Sequence, residues 1–75
     1  MFYDFKKLGE ILRDIRKNRN ITPYEVRTDI NFNCTTLKKI EEGGNHYLSI
    51  NTFIMLCRYY GVDPIKILND VIFKN

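Results

Sequence analysis

The sequence has few of the features that mark several large classes of protein. It contains two cysteines, one histidine, four glycines and two prolines among its 75 residues. No run of apolar residues approaches the ~20 that a membrane-spanning helix needs. Charged residues stand among the N-terminal aromatic residues, which excludes a signal peptide with an apolar core. A composition of 44% hydrophobic and 28% charged residues excludes a disordered, collagenous or low-complexity chain.

The scarcity of cysteine and histidine argues against a metal centre and against an enzyme. His46 has no cysteine, histidine or carboxylate at ligand spacing, so a structural zinc ion lacks its four ligands. We expect no cofactor, no metal, and free thiols in a reducing cytoplasm. Cys34 and His46 form the one conceivable catalytic dyad, but a helix rising roughly 13 Å separates them. We therefore predict that the protein is not an enzyme.

The charge is mildly basic and unevenly distributed. Twelve lysines and arginines against nine acids give a net charge of +3. Residues 1–27 carry seven basic and four acidic residues, whereas residues 28–75 carry five of each sign. This balance permits a nucleic-acid partner without requiring one.

The length allows at most one domain, 1–75.

The spacing of apolar residues and of helix-ending residues predicts an all-α domain of five short helices. The first carries Phe5, Leu8, Leu12 and Ile15 on one face and ends near Asn18. The next four are predicted over Pro23 to Ile30, Cys34 to Glu42, Ile50 to Tyr60 and Pro64 to Ile72.

Local capping signals set these boundaries. Thr22, followed by proline and then by Glu25, is typical of a capping box at the start of the second helix. Asn31 can adopt the left-handed conformation that ends this helix, and Asn33 is a suitable N-cap for the third. Gly61 is expected to end the fourth helix.

The same periodicity predicts which faces are buried. The fourth helix should bury Ile50, Phe53, Ile54, Cys57 and Tyr60. The fifth should bury Ile65, Leu68 and Ile72. This assignment leaves three apolar residues of the last segment, Ile67, Val71 and Phe73, for a homodimer contact. The alternative is that the domain covers them itself with its N-terminal aromatic residues.

The most informative segment is the pair of helices joined by Asn31-Phe32-Asn33. Two short helices with a three-residue turn match the helix-turn-helix pattern, whose second helix can enter the major groove of DNA. By pattern alone this is only suggestive, because short helical hairpins are common in small bundles.

An ordered set of residues strengthens this interpretation: Leu8-Gly9-Glu10, Leu12, Ile15, Arg16, Ile21-Thr22, Val26, Leu37, Ile40, Glu41, Gly43, Ser49-Ile50, Phe53, Leu56, Cys57 and Tyr60-Gly61-Val62. With its spacing, this set resembles the lambda-repressor-like, Cro-type helix-turn-helix domains, also called the xenobiotic-response-element family. The resemblance covers Leu8 to Leu68 and implies a compact five-helix domain that binds double-stranded DNA. It also implies a structural ion pair between Arg16 and Glu41.

The resemblance further implies a set of DNA contacts. The base-contacting positions fall on Cys34, Thr35, Lys38 and Lys39, where lysine can donate to guanine and threonine can touch a thymine methyl group. Phosphate contacts are expected from the end of the first helix, from the start of the third and from the following loop, at Lys17, Arg19, Asn33, Gly44, Asn45 and His46. Backbone N–H groups at the start of the third helix that have no hydrogen-bond partner are expected to strengthen the binding of phosphate.

Two readings of function follow. The first is a cytoplasmic transcriptional regulator such as a repressor, binding a two-fold operator as a homodimer. Met1 and the absence of a linker-like tail favour a free-standing regulator over one module of a larger protein. The second is a protein-interaction module of the same fold that no longer binds DNA. Arg27 and Pro23 favour it, because the resembled family usually has alanine and a phosphate-binding glutamine there. An arginine at that position must extend outward or force the two helices apart.

Overall fold

The computed structural model describes residues 2–3, 5–44 and 48–73, and the predicted all-α, five-helix fold is confirmed within these ranges. The helices are α1 (Phe5–Asn18), α2 (Pro23–Ile30), α3 (Cys34–Glu41), α4 (Ile50–Tyr60) and α5 (Pro64–Val71). Helices α3 and α5 each end one residue earlier than predicted. None of the helices in the described ranges is both long and apolar enough to cross a membrane.

A short antiparallel ribbon that the sequence analysis did not predict joins the two ends of the described chain. Strand β1 (Phe2–Tyr3) pairs with strand β2 (Ile72–Phe73), with Phe2 opposite Phe73 and Tyr3 opposite Ile72. Ile72 was expected to continue the last helix and instead belongs to this ribbon. Each strand has only two residues, so the architecture remains helical.

The helix boundaries follow from hydrogen bonds between neighbouring residues. Thr22 Oγ1 accepts from the amide of Glu25 at 3.1 Å, and the Glu25 carboxylate accepts from the amide of Thr22 at 3.2 Å, which completes the predicted capping box. Asn31 ends α2 with a φ of 54°, in the left-handed region. Gly61 ends α4 with a φ of 75°, where a residue without a Cβ is favoured.

One core lies between the helices. Its fully buried side chains come from all five helices and include Leu12, Val26, Leu37, Leu56 and Val71, and Ile67 of α5 is also buried. Helix α1 packs on α3 and α5, α2 packs on α3, and α4 packs on α5. Helix α3 is therefore fixed by α1 and α2, while its remaining face is turned outward.

The predicted buried faces of α4 and α5 need correction. Ile67 is 7% exposed and Val71 is 2% exposed, so both are core residues and cannot form the predicted dimer contact. Ile65, which was expected in the core, is 61% exposed, and Ile50 at the start of α4 is 60% exposed. The side chain of Phe73, the third predicted dimer residue, lies outside the described side chains.

Candidate nucleic-acid interface

Helices α2 and α3 and the turn between them form the predicted helix-turn-helix. Asn33 caps α3, because its Oδ1 accepts from the amides of Thr35 at 2.8 Å and Thr36 at 3.1 Å. Cys34, the next residue, donates from its Sγ to the carbonyl oxygen of Pro23, the first residue of α2, at 3.3 Å. This contact places the start of α3 beside the start of α2.

The outer face of α3 carries most of the residues predicted to contact bases. Thr35, Lys38 and Lys39 are exposed, and Cys34 is partly buried. On the opposite face, Leu37 and Ile40 are each 1% exposed. Since 3.6 residues make one turn, the exposed side chains occupy one side of the helix and point away from the core. They lie together on one surface and could enter a groove together.

A buried ion pair fixes α3 to α1. Arg16 Nε donates to Glu41 Oε2 at 2.8 Å, and Nη2 donates to Oε1 at 3.0 Å, so the predicted pair is present and bidentate. Arg16 Nη1 also donates to the carbonyl oxygen of Ile21 at 2.8 Å. Hydrogen bonding to Glu41 raises the pKa of the Arg16 guanidinium above its ordinary value. Both side chains are buried, which makes the pair a structural connection between helices.

A close approach of α1 and α3 lies next to this ion pair. A Cβ atom at Gly9 would overlap the carbonyl oxygen of Ile40 and would lie 3.1 Å from the carbonyl carbon of Glu41. Only glycine allows the two backbones this separation. Gly9 is one of the residues that carry the family resemblance, and no role was predicted for it. A glycine in the interior of a helix costs roughly 0.5–1 kcal/mol relative to alanine. Its presence at position 9 was the feature of the sequence that could have indicated a close approach of two backbones.

The positions predicted to contact phosphate are only partly described. Lys17 near the end of α1 and Arg19 after it are exposed, and Gly44 follows α3 with partial exposure. Asn45 and His46 lie outside the described residues. The expectation of unbonded amides at the start of α3 is wrong for Thr35 and Thr36, because the Asn33 side chain accepts from both.

Arg27 does not separate the two helices. Its side chain is exposed, while Val26 beside it is fully buried and α2 packs on α3. An arginine at this position was expected either to extend outward or to force the two helices apart, and in the structure it extends outward. The helix-turn-helix therefore accommodates a long cationic side chain on its surface, at a place to which the sequence analysis assigned no contact.

No group of three or more histidine, cysteine, aspartate or glutamate side chains in the described part of the chain could hold a metal ion. Cys57 is buried, and burial raises the pKa of its thiol to about 11. Cys34 is a free thiol engaged with the Pro23 carbonyl oxygen, and its conceivable partner His46 is among the residues not described.

Comparison with known proteins places this geometry among helix-turn-helix structures. A family model described as a helix-turn-helix domain matches residues 9–71. The crystal structure of the DNA-binding domain of BldD is similar with a TM-score of 0.75 and 22% sequence identity, covering 91% of this chain and 99% of that chain. A search of curated proteins found no match. The family match and the shared fold confirm the resemblance to Cro-type domains.

Proposed function

Since the chain belongs to the helix-turn-helix domain family, we propose that it is a sequence-specific DNA-binding regulator whose helix α3 reads the major groove. The observation that carries the proposal is the outward face of α3. Thr35, Lys38 and Lys39 are exposed together on a helix that is fixed from behind by packing and an ion pair. The similar crystal structure is that of a DNA-binding domain, which supports the same function.

The side chains on this face suit base recognition. Lysine donates to the O6 and N7 atoms of guanine, and Lys38 and Lys39 supply two such donors. Thr35 can donate, accept or contact a thymine methyl group. Cys34, at the edge of the face, adds a small and weakly polar contact. A helix that approaches the groove by its first turns presents these residues to base edges.

Phosphate contacts from α1 and from the ends of α3 complete the proposed interface. Lys17 and Arg19 bring positive charge to the exit of α1. Asn33 caps α3 with its side-chain oxygen, Oδ1. Its side-chain nitrogen, Nδ2, can therefore donate to a phosphate. Gly44, with Asn45 and His46, remains a proposed contact of the loop after α3.

We also propose that the regulator acts in the cytoplasm as a homodimer on two half-sites about one helical turn apart. Ile67 and Val71, two of the three residues predicted for the dimer contact, are buried within the domain and are left out of the proposed contact. The exposed side of α5 supports a different contact. Ile65 is 61% exposed, and the partly buried Leu68 lies one turn after it. Lys66 and Asp70 are exposed beside them and would pair across an antiparallel contact between two copies.

The second candidate function is a protein-interaction module of the same fold. Helix α2 presents Tyr24, which is 65% exposed, and it begins with Pro23 in place of a side chain that could donate to phosphate. A large exposed aromatic residue is a common anchor of protein interfaces. An interaction module would bind a protein partner through α2 without binding a duplex.

Fluorescence anisotropy on a random duplex across a salt series separates the two functions. A DNA-binding protein loses affinity with salt at a slope near −0.9 per phosphate neutralised, in a plot of log affinity against log salt. Lys17→Ala should reduce that slope by about 0.9 per bound protomer, whereas Arg58→Ala, at an exposed arginine on α4 outside the proposed interface, should leave it unchanged. Absence of binding at low salt would favour the interaction module.

A further inference from the structure

Helix α2 carries charge of opposite sign on two opposite edges. Glu25 and Asp29 are four residues apart and share one edge, while Pro23 and Arg27 are four residues apart and share another. At 3.6 residues per turn, Glu25 and Arg27 point about 160° apart around the helix. The helix therefore has an acidic edge, formed by Glu25 and Asp29, and a basic edge, formed by Pro23 and Arg27, whose single charge is that of Arg27.

Both acids on the acidic edge are held by hydrogen bonds. The Glu25 carboxylate accepts from the amide and from the hydroxyl of Thr22, each at 3.2 Å. Tyr59 Oη donates to Asp29 Oδ2 at 2.6 Å, which ties the end of this edge to α4. These bonds keep the two negative charges on the side of α2 that is turned away from Arg27.

The basic edge lies on the side of α2 that faces the start of α3. The carbonyl oxygen of Pro23 accepts from Cys34 Sγ at 3.3 Å, and Arg27 follows Pro23 by one turn on the same edge. Arg27 is exposed and forms no ion pair with a carboxylate in the described part of the chain. Its guanidinium is thus a cation on the same side as the proposed base-reading helix.

We propose that Arg27 is a further DNA-binding residue, which contacts a backbone phosphate beside the groove that α3 enters. The inference rests on the proposed function and adds α2 to the interface. The planar guanidinium can donate to two phosphate oxygens at once. A phosphate contact positions the protein on the duplex and is independent of base sequence.

The test measures the salt dependence of duplex binding for the full chain and for three variants. Arg27→Ala should reduce the slope by about 0.9 per bound protomer, so that between about 50 and 200 mM salt it loses roughly three- to fourfold less affinity per protomer than the parent. Arg27→Lys keeps the charge and should keep the parent slope. The matched control is Arg58→Ala, because Arg58 is exposed on α4 beside the cleft that Ile30 and Tyr59 line, on the acidic side of α2.

The outcomes distinguish this inference from the proposed function. A parent slope that Arg27→Ala leaves unchanged overturns the role of Arg27 and leaves the role of α3 intact. A slope reduced equally by Arg58→Ala also overturns it, since the effect would then be one of net charge. A parent that binds no duplex at low salt overturns the proposed function together with this inference. Circular dichroism of each variant verifies that the helices are retained.

Discussion

Removing the Glu41 carboxylate should leave a buried arginine without its counter-charge. Arg16 and Glu41 are 8% and 7% exposed, and two hydrogen bonds of 2.8 and 3.0 Å join them. Removing one partner of a buried pair costs about 3–5 kcal/mol. A domain of this length has a free energy of unfolding of roughly 4–11 kcal/mol, so Glu41→Ala should lose a large part of it.

Urea denaturation followed by circular dichroism measures this loss. The matched control is Glu42→Ala, which removes the neighbouring exposed carboxylate and should change the free energy of unfolding by at most about 0.5 kcal/mol. If Glu41→Ala is unfolded in buffer, Glu41→Gln, which keeps one oxygen acceptor, should fold with a urea midpoint below that of the parent.

A double variant separates the loss of the carboxylate from the loss of the pair. Arg16→Met with Glu41→Leu removes both charges, and such replacements are often neutral or stabilising. It also removes the bond from Arg16 to the Ile21 carbonyl oxygen, worth about 1 kcal/mol. We expect the double variant to be more stable than Glu41→Ala. A double variant as unstable as Glu41→Ala, or a Glu41→Ala within 1 kcal/mol of the parent, would refute the reasoning.

Three further predictions concern stability. Gly9→Ala should lower the free energy of unfolding by about 1–3 kcal/mol, because the new Cβ overlaps the Ile40 carbonyl oxygen; a melting temperature equal to that of the parent would contradict this. Tyr60→Phe should raise the free energy of unfolding by about 1 kcal/mol, since its buried hydroxyl has no hydrogen-bond partner in the described ranges; a lower urea midpoint would contradict it. Burial raises the pKa of Cys57 from 9.0 to about 11, so the folded state holds this proton more tightly than the unfolded state does. Stability should therefore fall as the pH rises from about 9 to 11, and Cys57→Ser should show a smaller fall; equal falls would show that another group is responsible.

The helix-turn-helix unit was predictable because short-range chemistry determines its boundaries. Thr22 and Glu25 are three residues apart, and Asn33 bonds amides two and three residues later. Asn31 ends α2 by its own backbone conformation. None of these features depends on distant parts of the chain, so the residue types in their order were sufficient to place α2 and α3.

Features set by tertiary packing were not predictable in the same way. Helix α5 has apolar residues on more than one face, and only the position of α1 and α4 decides that Ile67 is buried while Ile65 is exposed. The close approach at Gly9 depends on the crossing of α1 over α3. The hydrogen bond that holds Asp29 against α4 joins it to Tyr59, which is 30 residues away, so the spacing of residues within α2 could not indicate it.

Selection of bound fragments from a randomised duplex pool, followed by sequencing, tests most directly whether the outer face of α3 reads DNA. The parent should enrich one sequence, and two copies of it in inverted orientation would report the dimer. Thr35→Ala and Lys39→Ala should each relax the preference at a single base pair by about 1–3 kcal/mol, whereas Lys17→Ala should weaken all sequences alike. A pool that stays random with the parent, or variants of α3 that enrich the parent sequence unchanged, would contradict the account.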